Sequence, residues 1–436
     1  MKPVSKHSES WPLIPFARII EESAFGPRFS GDYYDLNGNV ATLRTTDLQD
    51  DGRISYETMP FARLNNDQFQ KHYLKAGDLV ITRSGTCGIA AVFEGFTSPV
   101  VPGAFLIRFR LTKEAIPKFY AYYFNSPQGR ANVLSIAAGA VQQNLNSTNL
   151  ANLLVPRPSV AIQRTVARIL STYDDLIENN LRRIKILEQM AQMIYREWFV
   201  NFRFPGHEKL PLVGSIVGDI PQCWEIANLS SICVERNGVQ TGPFGSQLHM
   251  ADYSDEGVPV VMPKDLIGLR IRTDEIARIP ESIAEKLSRH RMQPDDIVYG
   301  RRGDIGRRAY LMPVQTGWFC GTGCLRIRPN SQAVNSWYLF NYLGQDDVQG
   351  IIRGRALGVT MPNLNTGVMA SVPVKLPPRD LQEAFARLTF PMAEAREVLT
   401  AVIENLRRTR DLLLPKFVSG EVSVEQIESE AAAQTV

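Results

Sequence analysis

KAGDLVITRSGTCG, residues 75–88, and QPDDIVYGRRGDIG, residues 293–306, are one segment written twice. Asp78 falls on Asp296 at a shift of 296 minus 78, or 218, and that shift also carries Arg83 to Arg301, Gly85 to Gly303 and Gly88 to Gly306. Working outward, VATLRTTDL from Val40 matches VPVVMPKDL from Val258, and Gly103, Arg108, Arg110 and Phe119-Tyr120 fall on Gly321, Arg326, Arg328 and Trp337-Tyr338. One residue is then gained: Asn144-Leu145-Asn146 meets Asn363-Leu364-Asn365, Pro158 meets Pro377, Gln163 meets Gln382 and Ala167-Arg168 meets Ala386-Arg387. Residues from about 10 to 200 thus recur at about 223 to 415. Self-similarity on this scale decides the architecture before any single element does.

Each copy has a strand-rich part and a helical part. Short apolar runs (DLVIT, AAVF and AFLIRFRL; DIVYG, AYLM and CLRIRP) separated by Gly, Asn and Pro read as strands. PRPS and PPRD then read as helix starts, with Asp380 and Glu383 at capping-box spacing. In the first helix Ile177, Leu181, Ile184, Ala191, Ile194 and Trp198 keep a 3,4 spacing, with Leu187 or Glu188 between. In the second, Phe385, Leu388, Met392, Ala395, Leu399, Val402 and Leu406 do the same, broken at Thr409 and resumed at Leu413. Sustained over several heptads, this is a coiled-coil seam. Pro391 lies inside the second stripe and should kink it or mark a later start. Some 35–40 helical residues would make a rod of roughly 50–60 Å. Two such helices from tandem copies pack most simply against each other, antiparallel, about a pseudo-twofold axis; ordinary packing against the adjoining domain is the other reading. The expected fold is therefore α+β: a globular part at 1–157, a long helix at 158–205, a second globular part at 206–378, a second long helix at 379–420 and a tail at 421–436.

The 436 residues suit two domains, and 44% hydrophobic with 21% charged residues is ordinary globular composition. Forty-eight basic against 45 acidic residues give +3, too small to identify a polyanionic partner, although 36 of the 48 are Arg, whose planar fork suits phosphate and guanine edges. The bland source of that bias is GC-rich coding. Five cysteines without a C-x-x-C pair signal neither a disulfide framework nor zinc. No apolar run has the length of a signal peptide or membrane span, so the expected compartment is the cytoplasm, with no membrane partner.

Catalytic motifs are missing. The sequence has no Gly-Lys pair for a Walker A loop, no H-E-x-x-H, no G-x-S-x-G and no Asn-Pro-Pro-aromatic run. Pro294-Asp295-Asp296 begins like a nuclease motif but no E-x-K follows, and Asp296, aligned with Asp78, reads better as a strand-entry turn residue. His7, His72, His207, His249 and His290 join no carboxylate or thiol cluster, and the Cys320/Cys324 pair is too little for a metal site. No catalytic residue and no metal ligand is assigned. What remains is binding chemistry. Arg289, Arg291, Arg301, Arg302, Arg307 and Arg308 crowd one Gly-containing stretch of the second copy, where the first keeps only Arg83 in the same loop. Gln142-Gln143-Asn144-Leu145-Asn146, against Met361-Pro362-Asn363-Leu364-Asn365, offers amides able to read adenine edges. Arg83, Gln142, Gln143, Asn144, Asn146, Arg301, Arg302, Arg307, Arg308, Asn363 and Asn365 are the candidate DNA contacts; solvated turns with Asn holding local backbone bonds are the plain alternative.

The chain resembles the specificity (S) subunits of type I restriction-modification systems. The likeness rests on the tandem layout and on residues 154–206, where Pro158, Gln163, Ile169-Leu170, Asp174 or Asp175, Ile177, Leu187-Glu188, Met190-Ala191, Trp198-Phe199-Val200 and Phe204-Pro205-Gly206 look like the family's first conserved region; LRRTRDLLLPKFVSGEVSV, 406–424, is similar to its ending. The resemblance implies two target recognition domains, each reading half of a bipartite asymmetric site in double-stranded DNA. The helices would space the half-sites and dock two modification subunits that carry adenine methyltransferase activity, and an ATP-driven restriction subunit would join them. S-adenosylmethionine, ATP and Mg would then lie on partners and none in this chain. Half-sites about one helical turn apart, roughly 34–36 Å, call for readers held at fixed separation. Two other classes compete: a scaffold or adaptor whose duplicated domains bind protein, and a stand-alone nuclease or methyltransferase, which needs an active site the residues do not show.

Overall fold

The computed structural model describes residues 11–137, 144–356 and 363–422. It divides into two compact units, Met1–Arg182 with Leu399–Val436, and Arg183–Val398. The first unit is built around the four-stranded sheet of β1 (Ile20–Phe25), β2 (Leu79–Thr82), β3 (Ala90–Val92) and β4 (Leu106–Leu111), in the order β1-β4-β2-β3. The second repeats it with β5 (Val239–Thr241), β6 (Ile297–Gly300), β7 (Arg308–Tyr310) and β8 (Cys324–Ile327), in the order β5-β8-β6-β7. Register repeats as well: Leu79 pairs with Phe109 and Ile297 with Ile327, both members displaced by the 218 residues of the sequence repeat. Each unit adds a three-stranded sheet containing one parallel pair, Val40–Leu43 with Val100–Pro102 and Val258–Val261 with Phe319–Cys320.

The central strands are almost wholly apolar because they are covered on both faces: every residue of β2 and β6 is buried. Leu79, Val80 and Ile81 each contribute about 1.5–3 kcal/mol by that burial. Asp78 and Asp296 hold the turn into these strands, as the alignment suggests. Their Oδ2 atoms accept the amides of Lys75 (2.8 Å) and Gln293 (2.7 Å), and their Oδ1 atoms accept from Nε of Arg110 (2.9 Å) and Arg328 (2.7 Å). Arg108 and Arg326, the other aligned pair, are almost wholly buried and donate to backbone carbonyls. Part of the arginine excess is therefore internal carpentry.

The long helices are α1 (Val160–Tyr195, continuing as a π-turn to Val200) and α2 (Arg379–Ser419). The aligned glutamines start both in the same way. Gln163 accepts from the Ile116 amide at 2.8 Å and donates to Pro158 O, while Gln382 accepts from Asn335 and donates to Pro377 O. Ser159 caps α1, accepting from the Ile162 amide at 3.3 Å. The expected capping box at Asp380 does not form: α2 already includes Arg379, whose guanidinium takes Glu383 at 3.0 Å. Nor does Pro391 delay or end the helix. It lies on the exposed face, where water can hydrate the carbonyl of residue 387 that loses its N–H partner.

Within the first unit the start of α1 packs on the end of α2, with Val166 and Leu170 in one core with Leu414 and Phe417 and Asp174 paired to Arg410. Within the second, the end of α1 packs on the start of α2: Tyr195 and Phe199 lie against Phe385, with ring centroids 5.7 and 5.1 Å apart, and Glu188 pairs with Arg396. Both contacts run antiparallel. The seam is a heptad, Gln163, Leu170, Ile177, Ile184, Ala191 and Trp198 with Val166, Tyr173, Asn180, Leu187 and Ile194, all buried or half-buried. Its counterpart is Gln382, Thr389, Arg396, Ile403, Arg410 and Phe417 with Phe385, Met392, Leu399, Leu406 and Leu413. Three expected seam residues are corrected. Leu181 (36% exposed), Leu388 (50%) and Val402 (41%) face outward, and the neighbouring Asn180, Thr389 and Ile403 are buried instead. Polar residues occupy alternate seam positions, so a count of apolar residues slides by one.

Candidate nucleic-acid interface

β2 and β6 each run into a turn, residues 83–88 and 301–306, whose aligned glycines all have left-handed φ: Gly85 78°, Gly88 86°, Gly303 73° and Gly306 118°. A Cβ on Gly88 would also lie 2.8 Å from a Val133 methyl, whereas Gly85 and Gly303 have open space at the turn tip. The first residue of each turn is an arginine that locks the chain across to the aligned asparagine. Arg83 donates from Nε and Nη2 to Asn144 Oδ1 (3.2 and 3.1 Å), lies 4.5 Å from the Phe25 ring centroid, and its carbonyl takes the Leu145 amide. Arg301 donates to Asn363 Oδ1 (3.1 Å) and Leu364 O (3.2 Å), lies 5.8 Å from Phe244, and its carbonyl takes the Leu364 amide. Backbone bridges Ser84 to Asn144 and Arg302 to Asn363 complete each lock. Gly103 and Gly321 belong to the same corner. Their carbonyls pass so close to Gly26 and Gly242 that a Cβ there would sit 2.0 and 1.9 Å away.

This geometry redistributes the sequence candidates. Asn146 and Asn365 are helix N-caps, accepting the amides of Asn149 (2.7 Å) and Val368 (2.8 Å). Arg301 is 4% exposed, its guanidinium pushed below its ordinary pKa by burial and by Arg302, and its Nη1 has no hydrogen-bond partner. Arg308 turns inward, donating to Phe340 O over the Phe340 ring, and burial lowers its pKa to about 10. Arg307 is exposed but holds Asp304 at 2.8 Å, and Arg291 is tied to Glu281. Arg302 is exposed at the turn tip, and Arg289, also exposed, donates to His290. Of the six arginines crowding this stretch only Arg289, Arg302 and Arg307 are exposed, because successive residues leave a strand on opposite faces. Gln142 and Gln143 lie outside the described residues.

Around Arg83 the structure shows what the sequence candidates omit. Phe25, Tyr34 and Phe105 are 37%, 44% and 56% exposed, and Tyr34 and Phe105 line a cavity of about 550 Å³ with Arg28, Phe29 and Arg44. In the second unit Phe244 is 52% exposed beside Arg301. Exposed aromatics with arginine suit stacking on bases and pairing with phosphate. The available signal was FGPRF, residues 25–29, an aromatic-basic run next to glycine and proline.

Nothing among the described residues forms a group of three or more His, Cys, Asp or Glu fit for a metal. Cys320 and Cys324 are buried core thiols, and burial pushes Cys320 up to about 12. No helix among the described residues is long and apolar enough to cross a membrane.

A family model for the type I restriction modification DNA specificity domain matches residues 26–189 and again 224–394, one match per copy. The chain belongs to the specificity subunits of type I restriction-modification systems. The type I restriction enzyme MjaIX specificity subunit of Methanocaldococcus jannaschii is 25% identical over 321 residues, covering 73% of this chain and 72% of that one. The EcoKI specificity subunit of Escherichia coli is 28% identical over 153 residues, 32% of each chain. The solved S subunit from M. genitalium superposes with a TM-score of 0.65 at 17% identity, covering 96% of this chain and 99% of that one, a likeness of fold.

Proposed function

We propose that this chain is the non-catalytic DNA-reading subunit of a type I restriction-modification complex, each globular part reading one half of a bipartite asymmetric site. The observation that carries the reading is the arginine–asparagine–aromatic lock present in both copies but dressed with different exposed side chains. One scaffold used twice with unlike surfaces is what an asymmetric site requires. Arg83, Asn144, Arg301 and Asn363 shape the turns. Arg302 with Phe244 in one copy, and Arg28 with Phe25 and Phe105 in the other, are the groups offered to phosphates and bases. The long helices set the spacing of the half-sites and dock two modification subunits, with a restriction subunit joining. S-adenosylmethionine, ATP and Mg belong to those partners. The globular parts correspond to residues 1–157 and 206–378.

The test is co-expression with a methyltransferase chain from neighbouring genes, followed by mapping of methylated adenines in the host DNA. A single bipartite adenine motif is expected, and replacing one globular part by that of a relative should change one half of the motif only. No co-purifying methyltransferase and no DNA binding at low salt would favour the adaptor reading.

A further inference from the structure

We propose that charged residues in and beside the helix seam are a pairing code, which makes α1 accept α2 and makes α2 reject the α2 of a second copy of this chain. In the first unit Asp174 and Arg410 meet at 2.6 Å with side chains only 11% and 12% exposed, and Tyr122 donates its hydroxyl to the same carboxylate. Arg410 also holds Asp411 at 2.9 Å. In the second unit Arg396, 11% exposed, lies 3.7 Å from Glu188 and 2.8 Å from Glu397. Each pair joins one helix of the first copy to one of the second.

The repeat shows what other pairings would do. Gln163 and Gln382 share the two contacts that start their helices, which fixes the helix shift at 382 minus 163, or 219. At that shift Asp174 corresponds to Ala393, Glu188 to Arg407, Arg396 to Ile177 and Arg410 to Ala191. In the same register, an α2 paired with another α2 would therefore set Arg410 against Ala393 and Arg396 against Arg407. Arg410 would lose its carboxylate across the seam and keep only Asp411 of its own helix, and Arg396, left with Glu397, would face a like charge. Losing the cross-helix partner of a mostly buried charge is destabilising, and a like-charge contact excludes a wrong partner. An α1 paired with another α1 would face Asp174 with Ala191 and Glu188 with Ile177, leaving the mostly buried Asp174 carboxylate without its cation. The acid side of the code lies on one copy and the basic side on the other, so the covalent pairing satisfies both. This inference concerns assembly and stands whether or not the chain reads DNA.

The test uses the full chain with a protease site inserted after the exposed Ile216, cut only after folding. The two pieces, each carrying one copy, should sediment as a one-to-one pair. Asp174→Arg or Arg410→Asp alone should weaken their association at least tenfold, and the double exchange should bring it back within about threefold. Placing Ala393→Asp and Arg407→Glu together should create pairs between two second-copy pieces, detected by capture between differently tagged chains. Thermal melting of the uncut variants supplies a second readout, with both single variants lowered and the double variant recovered. Failure of the double exchange to recover in both readouts, or second-copy pairs forming as readily without the substitutions, overturns the code. Loss of DNA binding with these results intact would instead overturn the DNA-reading function.

Discussion

The turns at 83–88 and 301–306 share a backbone and differ in what they show to solvent. In the first, Arg83 is half-buried against Phe25 and its asparagine is exposed. In the second, Arg301 is sunk into the protein, Asn363 is half-buried, and the exposed cations are Arg302 and the paired Arg307. The lesson is that the repeated residues carry shape, while the unrepeated ones decide what each turn shows to solvent. Arg301 looked like a ligand contact because it lies in a basic run, yet its equivalence to Arg83 marks it as part of the scaffold.

That division can be broken by experiment. The largest expected effect is Arg301→Ala, which strands the Asn363 and Leu364 acceptors and should lower stability of the second copy by about 2–3 kcal/mol; Arg83→Ala should cost about 1 kcal/mol or less. Urea unfolding followed by hydrogen exchange in each copy checks this, and equal losses would erase the distinction between the turns.

A second difference concerns acid. His290 and its aligned partner His72 are both held below the ordinary histidine value of 6.5, chiefly by burial, with neighbouring cations adding to it. His290, which accepts from Arg289, falls to about 4. Because the folded value lies below the unfolded one, the unfolded chain takes up the proton first. Stability is therefore full above about pH 6.5 and falls as pH drops from there toward 4. A loss on the order of 2 kcal/mol is expected in the second copy. His290→Gln should flatten that slope, and hydrogen exchange at pH 7 and pH 5 would show whether the second copy loosens before the first.

Smaller still is the effect of stiffening a turn tip. Gly303→Ala places a Cβ at φ 73°, free of contacts, so only the backbone penalty of about 1 kcal/mol is expected, with the same value at Gly85. Thermal melting of the two variants tests that equality. At the bottom of the range, Arg302→Ala should leave stability within about 0.5 kcal/mol and flatten the salt dependence of DNA binding by about one unit of slope. Phe105→Ala should likewise act on binding and spare folding. If Arg302→Ala leaves the salt slope unchanged, that turn tip does not touch the phosphates.

Much of the architecture was legible. The 218-residue shift returned as identical strand orders and registers, and Asp78 and Asp296 proved to be the turn residues that alignment made them. The seam was legible where it is apolar, at Ile177, Ile184, Leu399 and Leu406. It slipped at Leu181, Leu388 and Val402 because Asn180 takes one seam position and α2 fills others with Gln382, Thr389, Arg396 and Arg410. Those residues are stabilised by partners far away in sequence, such as Trp337, whose indole donates to Thr389 at 2.9 Å, and Asp174. The site was legible least. Asn146 and Asn365 cap helices, Arg308 is internal, and Phe25, Phe105 and Phe244 stand exposed where hydrophobicity alone would have buried them.

By itself, then, the chain of residues determined the duplication, the strands and the two long helices, because those depend on short-range periodicity and on glycines and aspartates that a turn demands locally. Only the tertiary structure decided which arginines serve the fold and which face solvent. A guanidinium's role is set by the carbonyls and carboxylates that folding brings within 3 Å or so of it, and those come from segments tens to hundreds of residues away.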